Sequence, residues 1–153
     1  MHEKIHGTKS RGFSILELMA TVTLLGVLAS FAIPAFVGYA ERARVNAAVG
    51  EIGRASVELH RWRLNNGNAT FPDTLADAGI TMPDDPWGNS YVYEDVATAG
   101  TVRTHSGAPV NTEFDLYSRG ADGNTATSLT ASSALDDIVL ARDGAFVGKA
   151  EHY

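Results

Sequence analysis

The sequence predicts an α+β protein in which one long N-terminal helix packs on a small antiparallel β-sheet head. Three observations lead there. An apolar run from Phe13 to Val37 holds a single ionisable group and continues into an amphipathic helical pattern. Beyond residue 89, three short segments alternate side chains as half-buried strands do. Turn residues separate them.

Length and composition set the frame. The 153 residues fit one ordinary domain, although the apolar segment takes part of that length. With 44% apolar and 20% charged residues the chain has material for a folded core. A formal net charge of -6 gives no field that draws nucleic acid or anionic lipid to the whole surface, so no nucleic-acid partner is expected. Without cysteine there is no disulfide, thiol nucleophile or thiolate metal site.

Residues 13–37 read FSILELMATVTLLGVLASFAIPAFV, with Glu17 as the lone charge. As a helix they span roughly 37 Å, enough to cross a hydrocarbon core of about 30 Å. The preceding MHEKIHGTKSRG is net positive, which keeps the N-terminus cytoplasmic and sends the C-terminus across the membrane. The residues alone allow a cleaved secretory signal, whose apolar stretch is ordinarily shorter, or a plain anchor whose Glu17 snorkels to the interface. Pro34 removes one helical hydrogen bond and predicts a kink.

From Ala35 to about Leu64 the helix continues, with Val45, Val49, Ile52, Ser56, Leu59 and Trp62 on one stripe. Asn65, Asn66 and Gly67 stop it. Pro72 and Asp73 open a predicted short helix, DTLADAG, that Gly79 closes. Strands are predicted in SYVYEDV, in VATAGTVRTHSG, and in EFDLYSRG, where Phe114, Leu116 and Ser118 face one side and Asp115 and Tyr117 the other.

Gly12, Phe13, the carboxylate Glu17 and Pro34 together resemble the processing signal of type IV pilins and type II secretion pseudopilins. The resemblance implies that a prepilin peptidase removes leader residues 1–12 after Gly12 and that the new amino terminus of Phe13 is methylated. It leaves 13–37 as a transmembrane and assembly helix and 38–153 as a periplasmic head. It makes Glu17 the assembly carboxylate, with the segment from Gly26 to Pro34 the place to loosen in a filament. DPWGNSYVYE and FDLYSRGADG resemble, in this order, segments of the major pseudopilin of type II secretion systems. Arg119 stands where that family usually has an apolar residue. The tail DGAFVGKAEHY is less like the family.

The stretch 119–138 has no obvious core element, and a loop this long needs something to hold it. In the resembled family that is one calcium ion. The resemblance implies the Arg119 carbonyl and the carboxylates of Asp122, Asp136 and Asp137 as ligands. The residues by themselves equally make GADGN a tight turn and Asp136–Asp137 a cap. No EF-hand pattern is present.

The five histidines show no ligand pair, no Ser/His/Asp set can be named, and GADG lacks the lysine of a phosphate loop, so no enzyme activity is expected. Arg54, Arg61, Arg63 and Trp62 lie together on the helix, and the ordinary reading is a Trp anchor in the core with arginines around it. The function implied is a subunit inserted in the bacterial inner membrane that polymerises into a periplasmic pseudopilus for type II secretion. Its partners would be further copies of itself, the prepilin peptidase, an inner-membrane assembly platform and minor pseudopilins. The alternatives are a true type IV pilin forming a surface filament for adhesion, motility or DNA uptake, and a membrane-anchored calcium-binding module that never polymerises.

Overall fold

The computed structural model describes residues 12–67 and 70–153. The expected leader, except Gly12, therefore lies outside the described residues, as do His2 and His6. Helix α1 runs Ile15–Asn65, with Pro34 inside it, and the chain divides after Ala40 into two compact units.

The first unit contains the apolar half of α1, whose side chains from Phe13 to Tyr39 are exposed throughout. Its first turn is capped by Ser14, whose Oγ accepts the Glu17 backbone N–H at 3.2 Å. Thr21, Thr23 and Ser30 each donate their hydroxyl to a carbonyl three or four residues earlier. Those hydroxyls are thus satisfied within the helix, as an apolar environment requires.

The second unit, Glu41–Tyr153, carries the sheet. Strands β1 (Val92–Asp95), β2 (Thr104–His105), β3 (Ala108–Pro109), β4 (Phe114–Ser118), β5 (Ile138–Ala141) and β6 (Phe146–Lys149) follow in chain order. A four-stranded antiparallel sheet has the order β1-β4-β5-β6, and β2 with β3 forms a separate hairpin. The hairpin turns through Ser106 and Gly107, both at positive φ (52° and 84°), the two-residue geometry that matches strand twist.

Strand alternation sorts two cores. Phe114, Leu116, Ile138 and Leu140 cluster with Ala48, Ile52, Ala55 and Leu59 of α1, and with Phe71 and Ile80. The opposite face, with Tyr117, Val139 and Ala141, clusters with Val110, Leu129 and Ala150. Each fully buried Ile, Leu or Phe stabilises the fold by roughly 1.5–3 kcal/mol.

Three expectations need correction, and one strand face finds a partner that was not foreseen. Trp62 is not in the core: the helical stripe that meets the sheet is Ala48, Ile52, Ala55, Ser56 and Leu59, and its small residues allow close approach. Residues 73–79 form bends and turns instead of a helix: Ala78 and Gly79 bond carbonyls three residues back and Ile80 N–H returns to the Leu75 carbonyl, which closes the segment before a helical ladder starts. All five residues of β4 are buried, and the side carrying Asp115 and Tyr117 faces a second core. Strands β5 and β6 fall where no strand is predicted.

Candidate functional site

The apolar segment of α1 expected to direct assembly is bare. Phe13 is 80% exposed, and Leu16, Phe31 and Phe36 are similarly bare, so the helix carries a long apolar surface with no partner in its own unit. Its most apolar window has mean hydropathy 2.1, and the helix is long and apolar enough to cross a membrane. The Glu17 carboxylate makes no hydrogen bond or ion pair among the described residues, although its own N–H is taken by Ser14. Sequence reasoning missed that cap, although S-x-x-E spacing announces it. Gly12 and Phe13 precede the helix, and α1 continues through Pro34.

In the head, the two motif segments are stitched together. Asp85 is buried; its Oδ1 accepts the backbone N–H groups of Trp87 at 3.0 Å and Asn89 at 2.8 Å, which folds Pro86–Asn89 into a turn. Its Oδ2 accepts the Ser118 hydroxyl at 2.5 Å, and Ser118 Oγ in turn accepts Gly120 N–H at 3.0 Å. Asn89 Nδ2 donates to the Gly120 carbonyl at 3.0 Å. Trp87 reaches back to α1, donating Nε1–H to Glu41 at 3.3 Å, and Tyr91 donates its hydroxyl to Glu51 at 2.5 Å. Burial, reinforced by Glu51, pushes the Tyr91 hydroxyl far above its usual range, so it stays a donor. DPWGNSY and DLYSRGADG thus lock the sheet's edge strand, the loop entry and the helix to one another.

The loop beginning at Gly120 divides the four residues that resemblance assigns to calcium. Asp122 and Asp136 meet: Asp122 N–H donates to Asp136 Oδ2 at 3.1 Å. Arg119, of which only the backbone carbonyl is an expected donor, directly precedes Gly120 at the loop entry. Asp137 is fully buried and engaged elsewhere, its Oδ2 accepting Arg103 Nη2 at 2.5 Å and Thr125 Oγ1 at 2.6 Å. Burial pushes the Asp137 carboxyl up, against the bonds from Thr125 and Arg103 that favour its charged form. Asp137 Oδ1 is buried without a partner, the one atom here that would welcome a cation. A guanidinium on the same carboxylate repels a second cation, however, and among the described residues no three His, Cys, Asp or Glu side chains gather for one. With Arg103 already on its Oδ2, Asp137 fits calcium poorly. The loop does have structure of its own: Leu129 and Ala134 are buried, residues 132–134 make a 3-10 turn, and Thr104 bridges Ser128.

Of the basic cluster on α1, Arg63 is tied into the fold, whereas Arg54 and Arg61 lie on the exposed face. Arg63 donates to Glu113 at 2.7 Å and covers the Phe71 ring, His60 bonds the other Glu113 oxygen at 2.9 Å, and Arg54 lies 4.0 Å from Glu58.

Comparison with known proteins follows the same lines. Residues 35–135 match the family described as type II secretion system protein G, and residues 7–33 match the prokaryotic N-terminal methylation motif. The chain is 31% identical to the type II secretion system core protein G of Vibrio cholerae over 133 residues, covering 75% of this chain and 83% of that protein. It is 30% identical to the Pseudomonas aeruginosa protein of the same name, covering 73% and 84%. A type IV major pilin protein of Neisseria gonorrhoeae is 31% identical over 123 residues, covering 76% of this chain and 67% of the pilin. No solved structure matches. An exposed apolar helix whose one carboxylate has no partner among the described residues, a head locked by the DPWGN and DLYS segments, and these two matches lead to one conclusion: the chain belongs to the type II secretion system protein G family, the major pseudopilins.

Proposed function

We propose that this chain is the repeating subunit of a periplasmic pseudopilus that drives type II protein secretion. Residues 13–37 anchor it in the inner membrane with the head in the periplasm. A prepilin peptidase removes residues 1–12 after Gly12, and Phe13 becomes the methylated amino terminus. The assembly platform and minor pseudopilins are its remaining partners.

The observation that carries this reading is the bare carboxylate of Glu17 on a fully exposed apolar helix. A lone charge in hydrocarbon costs about 2.5–3.5 kcal/mol on insertion scales. Cleavage after Gly12 creates a cationic amine on Phe13, and pairing that amine with Glu17 of a neighbouring copy removes the cost. The same packing buries the apolar helix surfaces against one another. Polymerisation is thereby favoured over residence in lipid, and no catalytic group is needed.

A true type IV pilin is the second reading, favoured by the match to the gonococcal pilin. The two readings share cleavage and assembly and differ in filament length and cargo. Mass spectrometry of the native N-terminus together with sheared-filament preparations tests the proposal. It expects a methylated phenylalanine at position 13, short filaments, and loss of protein export when the chain is deleted. An intact leader on a monomeric protein overturns it.

A further inference from the structure

Arg103 is a buried cation that the assembly reading leaves unused. Three chain segments converge on it. Its Nη2 donates to Asp137 Oδ2 at 2.5 Å, where the 120–137 loop ends, and its Nη1 donates to Thr125 Oγ1 at 2.7 Å, near where the loop begins. Thr125 donates to the same Asp137 oxygen at 2.6 Å, closing a three-membered ring of bonds. The guanidinium carbon lies 4.0 Å over the Tyr117 ring of β4. The Arg103 backbone N–H donates to Asp115 Oδ2 at 2.7 Å, so the arginine is fixed at both ends.

We infer that Arg103 is the built-in cation of the 120–137 loop, occupying electrostatically the place a calcium ion would take, so that this head domain folds and persists without calcium.

Three features support this. Arg103 is 5% exposed and Asp137 0%, so the pair is desolvated and each charge depends on the other. A planar guanidinium suits this site because it donates to two acceptors at once while its face rests on an aromatic ring, which an ammonium cannot do. One oxygen of each neighbouring carboxylate is engaged with a main-chain donor: Asp122 Oδ1 accepts Asn124 N–H at 2.7 Å, and Asp136 Oδ2 accepts Asp122 N–H at 3.1 Å. Calcium asks for six to eight oxygens, and the centre that joins the two ends of this loop already holds a positive charge.

The test is thermal unfolding of the full-length protein in detergent micelles, with millimolar calcium and with chelator. The two wild-type melts should coincide, whereas a site saturated a hundredfold over its Kd would raise the midpoint on the order of 5–10 °C. Arg103→Met should lower the midpoint on the order of 10 °C by leaving Asp137 charged and unpaired. Arg103→Met combined with Asp137→Asn should recover more than half of that loss, since no buried charge remains. Calcium raising the wild-type midpoint by several degrees, an Arg103→Met protein that melts with the wild type, or a double variant that recovers nothing each overturns the inference. Where Arg103→Met gives no folded protein, the wild-type melts and the double variant decide.

Discussion

The Asp85 carboxylate holds Ser118 across 33 residues of sequence, with Oδ2 accepting the serine hydroxyl at 2.5 Å while Oδ1 closes the Trp87–Asn89 turn. Both side chains are buried, so removing the carboxylate strands three donors at once. Asp85→Ala is expected to cost about 3 kcal/mol, whereas Ser118→Ala, which leaves the turn intact, costs about 1 kcal/mol. Urea midpoints of the two variants should preserve that order. Equal losses would mean that the turn bonds contribute nothing.

Gly120 is needed for two reasons that add. Its φ is 64°, and a Cβ there would sit 2.5 Å from the Asp136 carbonyl oxygen and 2.6 Å from its carboxylate. Gly107 has a similar φ of 84° but open space around it. Gly107→Ala should therefore cost only the left-handed backbone penalty of about 1 kcal/mol, and Gly120→Ala at least 3 kcal/mol, because the loop end must move. Thermal melts of the pair separate backbone strain from steric conflict.

Glu17 has a bland explanation as well as a functional one, because its position beside the Ser14 cap suits the helix dipole. Losing the cap costs about 1 kcal/mol of helix stability. If Glu17 served only the helix start, Ser14→Ala and Glu17→Ala would reduce assembly alike. The expected outcome is that Ser14→Ala still yields sheared filaments and Glu17→Ala yields almost none. Matching yields would remove the intermolecular pairing from the account.

The sequence was most informative where one physical rule acted alone. Helix α1 is legible because apolar length and then 3.6-residue periodicity each dictate it over many turns. Strand β4 is legible by alternation, yet its second buried face is not, since Asp115 and Tyr117 look like solvent-facing residues until Arg103 and Asn111 are found beside them. Strands β5 and β6 were available in principle: IVLA is a short apolar run, and Arg142–Ala145 contains the Asp-Gly pair of a hairpin. Arg103 was invisible because nothing local marks it; its partner lies 34 residues away. Of the calcium donors expected by resemblance, Asp122 and Asp136 are brought together and Asp137 is drawn off by that arginine.

Asp143 offers a pH test. It sits in the β5–β6 turn at φ 52° and accepts Thr112 N–H and Thr112 Oγ1–H at 2.7 Å each and Glu113 N–H at 3.2 Å. Partial burial alone would raise its carboxyl, but the bonds from Thr112 and Glu113, with His60 nearby, outweigh that and hold it below the usual range. A carboxyl depressed in the folded state stabilises the fold above its unfolded value of about 3.9 and loses that contribution as pH falls through the folded value. Asp143→Asn keeps a residue that tolerates the left-handed region, removes the charge and, like the protonated carboxyl, leaves one acceptor oxygen beside one donor. At pH 7 the wild type should be more stable by about 1 kcal/mol, discounted for the side chain's exposure. Below about pH 4 the gap should narrow, and it should vanish once the folded carboxyl is protonated. The other titrating groups are common to both proteins, so the difference in urea midpoints isolates this carboxylate; a gap that stays constant down to strong acid would show that its charge is not what holds the turn.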